Sequence, residues 1–329
     1  MLRRTQMIQV EESIKNKAWF TCDIPRKELK SLMKRDDKHA RIHIGIWIIL
    51  LIITGSLSVW LYPSYWSIPV WFVYGVLYSA SNARWHECSH GTPLKTQWIN
   101  ELVFYITTAM EFRDVVMARW SHATHHSYTI IRGLDPEILL KRPPNLWIMC
   151  LNFFNIISGP KQIYKTVSHA LGIPSASAKK YVPESEYSKM YWWARLALLP
   201  YVFVIIWIIL TGSWVPVLLF LLPRFYGAPI QWGMILLQHS GLAEDVWDHR
   251  QNTRTVIMNP ILGFLYMEMQ YHVEHHMFPL VPYHKLKQLH NSIKSQLPEA
   301  NSGIIDAYKE MIPALLTQRK DPSYYIQKL

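Results

Sequence analysis

Residues 44–61 read IGIWIILLIITGSLSVWL, eighteen positions without a charge. A helix of that length crosses most of a hydrocarbon core about 30 Å thick. A second uncharged run, Ile68 to Ala83, follows through the short connection Tyr62 to Ser67, so the two read as a hairpin. A second pair comes much later: Trp192 to Leu210 is broken only by Arg195, and Val215 to Leu237 carries only Arg224. The stretches Ile99 to Ala118 and Asn145 to Ile157 are apolar but short and punctuated by polar residues, which suits buried or interfacial helices. The expected fold is therefore all-α and integral to a membrane: four transmembrane helices in two hairpins, with the intervening segments forming a helical cap.

Composition agrees. Half of the 329 residues are hydrophobic, with 15 Trp, 18 Tyr and only 13 Gly, a departure from an ordinary soluble domain. Three scattered cysteines, Cys22, Cys88 and Cys150, offer neither a disulfide framework nor a CxxC metal site. No apolar run before a small-residue cleavage site marks the first forty residues as a signal peptide. Met1 to Arg41 holds eleven Lys or Arg, whereas the connections Tyr62 to Ser67 and Thr211 to Trp214 hold none. The positive-inside rule then places both termini, and the cap, in the cytoplasm. The division expected is a basic segment 1–41, a membrane domain 42–290 and a cytoplasmic tail 291–329. The net charge of +11 faces anionic lipid headgroups and acidic protein partners, and no nucleic-acid partner is expected.

Nine of the 15 histidines fall into a pattern: His86 and His90, then His122, His125 and His126, then the single His239, then His272, His275 and His276. On a helix His86 and His90 share one face, and His122 stands three and four residues from His125 and His126. Adjacent rings such as His125 and His126 diverge by about 100°, so each can reach a different metal. A single tetrahedral zinc would leave five of the nine idle. Imidazole binds Fe, Zn, Cu or Ni, so ligand type alone does not choose the metal. His86 follows the second span and His239 the fourth, which lets all nine meet at one membrane face. Glu87, Asp135 and Glu274 are candidate acceptors for the N–H groups of the ligand rings, with Glu137 beside Asp135. His39, His43, His169, His284 and His290 are assigned structural roles, and His249 is expected to face solvent or to hydrogen-bond from behind the ligand rings.

The ordered boxes W-HECSH-GT, W-SHATHH-S, Q-H-SGL and YHVEHHMFP resemble the membrane fatty-acid desaturase and alkane hydroxylase superfamily over about Arg41 to His290. Some of the wording is similar to a bacterial hydrocarbon-oxygenase-like subgroup, in which certain members act on non-lipid molecules. The resemblance implies two non-haem iron ions held by the nine histidines, O2 as co-substrate, and cleavage of an unactivated C–H bond in a narrow apolar cavity. Desaturation of a fatty acyl or related alkyl chain is the reaction expected. Hydroxylation of an alkyl or small non-lipid substrate is the alternative, because some desaturases carry an Asn four residues before the isolated histidine and this chain has Ile235 there. Neither a GxGxxG fingerprint nor paired CxxC motifs are present, so electrons are expected from a separate ferredoxin, of Rieske type or another small redox protein, served by its own reductase. Membrane lipid is the other expected partner. HECSH also matches the HExxH motif of an intramembrane zinc protease, with Glu87 activating water, and paired histidines could hold haem; neither reading employs the full set.

Overall fold

The computed structural model describes residues 17–329; residues 1–16 of the basic N-terminal segment lie outside the described part. Helices and turns account for the architecture, and among the described residues the only β pairing is two isolated bridges, Thr255 to Tyr271 and Val256 to Asn301.

Two helices are long and apolar enough to cross a membrane, one ending at Leu61 and one ending at Thr211. The first runs Asp37–Leu61, started by Asp36, whose carboxylate accepts from the Lys38 N–H at 2.8 Å. The second runs Tyr187–Thr211 and stops at Gly212, which takes the left-handed conformation at φ 69°. Only 22% and 17% of their apolar windows is buried, so both turn most of their Ile, Leu and Val outward, as the core helices of a water-soluble fold do not.

The other two apolar stretches are not single helices. The second divides into Ser67–Ser79 and Ser81–Ser89 at a turn on Ala80. The fourth becomes a π-helical turn, Val217–Leu221, then Pro223–Tyr226, then Ala228–His239. Pro216, Pro223 and Pro229 lack the N–H that continues a helix, and Gly227 adds a further break. Irregular backbone in apolar surroundings needs partners for its carbonyls. Three tyrosines supply them: Tyr226 donates to Leu218 at 2.9 Å, Tyr74 to Leu219 at 2.8 Å and Tyr78 to Phe220 at 3.1 Å.

Arg224, the charge within that stretch, is buried against Glu111, Nη2 to Oε2 being 2.5 Å. Glu111 also accepts from Ser81 Oγ at 2.9 Å and Asn82 Nδ2 at 3.2 Å. This pairing ties the helix Gln97–Met110, whose end Glu111 caps, to both interrupted stretches. The interrupted stretches themselves meet at Gly75 and Gly227, where a methyl group on Gly227 would overlap the Gly75 carbonyl. Residues 291–329, expected as a tail, pack into the body: helix Ile304–Gln318 buries Ala307, Met311 and Leu315 against Leu236 and Leu237, and Tyr308 donates to the Gly233 carbonyl at 2.9 Å.

Candidate metal centre

Each histidine box sits where a local feature of the chain holds it. Ser81–Ser89, carrying His86, is anchored by the wholly buried Arg84, whose guanidinium donates to the Ala80, Phe264 and Leu265 carbonyls at 2.9, 3.0 and 2.5 Å. The last two carbonyls belong to the final turn of helix Pro260–Tyr266. Arg84 thereby joins the first box to the segment leading into the last one. Helix Val115–Ser127, bearing His122, His125 and His126, starts at Asp114, which accepts from the Met117 N–H at 2.7 Å and also binds His169 Nδ1 at 2.7 Å. His239 ends Ala228–His239, and the short helix His272–Met277 carries the final three.

The nine rings gather into two groups. In the first, His86, His90, His122, His126 and His275 bring ligand nitrogens within 4.8 Å of one another; in the second, His125, His239, His272 and His276 do the same. Along each HxxHH box the rings four apart stay together, and the middle histidine crosses to the other group. Neighbouring Nε2 atoms lie 3.0 Å apart for His90 and His122, 3.1 Å for His122 and His126, 3.2 Å for His239 and His272, and 3.1 Å for His272 and His276. Ligand nitrogens about 2.1 Å from one ion at right angles stand ~3.0 Å apart.

Outer partners fix which nitrogen faces inward. His239 Nδ1 donates to the Asn252 carbonyl at 2.8 Å, and a carbonyl only accepts, so its Nε2 is left as a bare lone pair. His125 Nδ1 faces Asp135 at 2.8 Å and His122 Nδ1 faces Glu137 at 3.1 Å, with the same consequence. Glu87, fully buried, stands between His86 Nδ1 at 3.3 Å and His275 Nδ1 at 3.4 Å. His275 Nε2 is buried with no protein partner at all. A metal ion is the chemistry these converging lone pairs fit, and the set as a whole suits two.

Burial, followed by neighbouring rings, holds His86, His90, His126, His239, His272, His275 and His276 well below the ordinary imidazole range, so they present neutral nitrogens. His125 goes the other way: burial opposes its charge, but the Asp135 carboxylate raises it overall. Burial alone pushes the Glu87 carboxyl up to about 8 in the metal-free protein.

Glu274 departs from expectation. Its carboxylate accepts from Thr255 Oγ1 at 2.6 Å and pairs with His290, turning away from the ligand rings because it lies on the far side of its short helix. His249 does not face solvent and lies instead behind the ligand rings. It is buried, stacked on Trp19 at 4.1 Å and 5.2 Å from the His276 ring, and burial lowers it to about 3. Thr129, 3.0 Å from His276 Nδ1, and Gln238, 3.4 Å from His272 Nδ1, complete the surroundings of the second group. Neither carries a spacing signal in the sequence. Asn252 contributes through its backbone, which no side-chain pattern reveals.

A cavity of about 690 Å³ opens beside both groups and is lined by His86, His122, His125, His239 and His272. Trp85, Met117, Ile235 and Met269 contribute to its apolar part, with Ile138, Leu139, Tyr181 and Trp232. It is not the narrow apolar slot expected, because charged and amide side chains from the loops make up much of its wall. A family model described as "Fatty acid desaturase" matches residues 63–308, about three quarters of the chain and all nine clustered histidines. No curated protein matches the chain.

Proposed function

The chain belongs to the fatty acid desaturase family, and from that premise we propose that it is an oxygen-dependent, non-haem di-iron oxidoreductase acting on an unactivated C–H bond. One observation carries the reading: two histidine groups, each able to close around one ion, open on one shared cavity. Iron ions bound there supply the activation of O2 that such a bond requires. The chain's own residues do the rest. The nine histidines hold the metals, while Glu87, Glu137 and Asp135 fix the orientation of His86, His275, His122 and His125. Trp85, Met117, Ile235 and Met269 lay an alkyl segment against the rings and keep water from it.

Loss of hydrogen from adjacent carbons gives an alkene, as in fatty-acyl desaturation, and delivery of oxygen to one carbon gives an alcohol. Hydroxylation has a specific observation in its favour: Ile235 presents a hydrocarbon side chain to the cavity where an amide would hold water. The HExxH protease reading has one against it. Glu87 would have to face an open position with a water, and it is enclosed between two imidazoles.

The two long helices and the two interrupted stretches together make four membrane crossings in this proposal, with both termini and the metal centre on the cytoplasmic side. Electrons come from a ferredoxin or similar small acidic redox protein docking on the basic face. Turnover should then fall as salt screens the encounter. Anaerobic purification and metal analysis test the central claim: close to two irons per chain are expected, and full activity with a single zinc and no iron overturns it. Mass spectrometry of products from whole cells fed candidate substrates separates alkene from alcohol.

A further inference from the structure

The cavity beside the histidines is walled by loops and short helices. None of its lining residues comes from either long apolar helix, Asp37–Leu61 or Tyr187–Thr211, and its rim includes the exposed Arg132, Gly133, Lys141 and Lys180. Access is from the polar surface. Seven Lys or Arg line it against three Asp or Glu, and the three acids are already engaged: Asp135 with His125, Glu137 with His122, and Glu244 with Arg142 at 3.2 Å.

Among the cations, Arg132 is paired with Asp245 at 2.6 Å and Arg224 with Glu111 at 2.5 Å. Arg113 and Lys165 make no salt bridge among the described residues, the nearest carboxylate influence on Arg113 being Glu137, which is already bound to His122, and both are half-buried in the cavity wall. The Arg113 guanidinium lies 4.8 Å over the Trp85 ring, and Trp85 in turn is 5.5 Å from the His122 ring. Lys165, on helix Ser158–Ala170, is held below the usual ammonium range by burial first, then by Arg113 and Lys161. Two like charges drawn partly out of water in one cavity wall are unfavourable unless an anion completes the set. Ser158 and Gln162, on the same helix as Lys165, add neutral hydrogen-bonding groups to that wall.

We propose that the cavity takes a water-soluble organic anion, a carboxylate, sulfonate or phosphate ester. Its charged group is held by Arg113 and Lys165, and its alkyl part lies against Trp85 and Met117 beside the histidines. The anion requirement stands on the cavity alone. That the alkyl end is the reacting end rests on the di-iron reading.

Isothermal titration of the detergent-purified full chain tests this with hexanoate, hexan-1-ol and hexylamine as probes. Hexanoate should bind at least about tenfold more tightly than either of the others, the size of one charge-assisted hydrogen bond. The double variant R113Q/K165Q should lose that preference, R113K/K165R should retain it, and K189Q, at a surface pair with Glu186 outside the cavity lining, should leave it unchanged. Equal binding of hexanoate and hexan-1-ol by the native chain overturns the proposal even if the double variant fails to fold. So does an anion preference that survives R113Q/K165Q. Displacement of hexanoate by phosphatidylglycerol vesicles, with the same dependence on both cations, would assign the subsite to a lipid headgroup and overturn the water-soluble class. Titration of both iron-free and iron-loaded protein separates this inference from the di-iron reading. Anion selectivity without iron loading sinks only the latter, and two irons without anion selectivity sink only the former.

Discussion

The two histidine groups are built from the same box spacing but supported differently. The five-membered group leans on carboxylates: Glu87 faces His86 and His275, and Glu137 faces His122. The four-membered group has one carboxylate, Asp135 on His125, and otherwise neutral partners: the Asn252 carbonyl, Thr129 and Gln238. Anionic acceptors raise the basicity of the ring they hold, whereas neutral ones chiefly fix its direction. With Glu87 ionised, the first group would have two carboxylates behind its rings against one for the second, which depends more on geometry.

The largest effect that could break this contrast is loss of a ligand from the smaller group. His239→Ala should abolish turnover and lower iron content as severely as His276→Ala, since four ligands leave none to spare; near-normal iron in purified His239→Ala would remove it from the set. Next come the acceptors. Asp135→Asn should weaken metal binding at the second site by about 10 to 100-fold and leave the first nearly intact, with Glu137→Gln doing the reverse. Metal titrations resolving two affinities read this directly, and equal weakening of both sites by either change would erase the distinction. Smaller still is His249→Ala. This ring touches His276 and Trp19 without joining either group, so most iron should remain while the fold loses about 1–3 kcal/mol, measured by denaturant unfolding in detergent.

The smallest effect concerns Glu87 in metal-free protein. Burial raises its carboxyl from 4.5 to about 8. The native state therefore keeps a proton that the unfolded chain releases above 4.5, and stability present in acid declines as pH rises from there toward 8. Metal-free Glu87→Gln should show a flatter melting temperature over that window than the native sequence does. An equally steep decline in both would mean that Glu87 is not the titrating group.

Much of this site was legible beforehand, because ligand spacing on helices is a local property. The spacing of His125 and His126 alone implies rings pointing to different metals, and the two rings do fall in different groups. The acceptors were partly legible: Asp135 and Glu137 lie close after the second box, where a loop can fold back. Glu87 is legible beside its neighbour His86, but its approach to His275 joins residues 188 apart in the chain, which no periodicity records. Glu274 misled for the converse reason, since adjacency to His275 says nothing about which side of a six-residue helix a carboxylate leaves from. Hydropathy alone makes the second and fourth apolar stretches look continuous, which the structure corrects. Hydropathy is blind to hydrogen bonding, and the prolines at 216, 223 and 229 were the available warning.

The contact between Gly75 and Gly227 works as the pivot of a pair of scissors. His239 lies twelve residues beyond Gly227, a blade of about 18 Å at helical rise, and His86 lies eleven beyond Gly75 on the other, bent blade. Each blade ends in a histidine of a different group, His86 on one and His239 on the other. Gly227→Ala would therefore force these two stretches apart at a point outside both histidine groups.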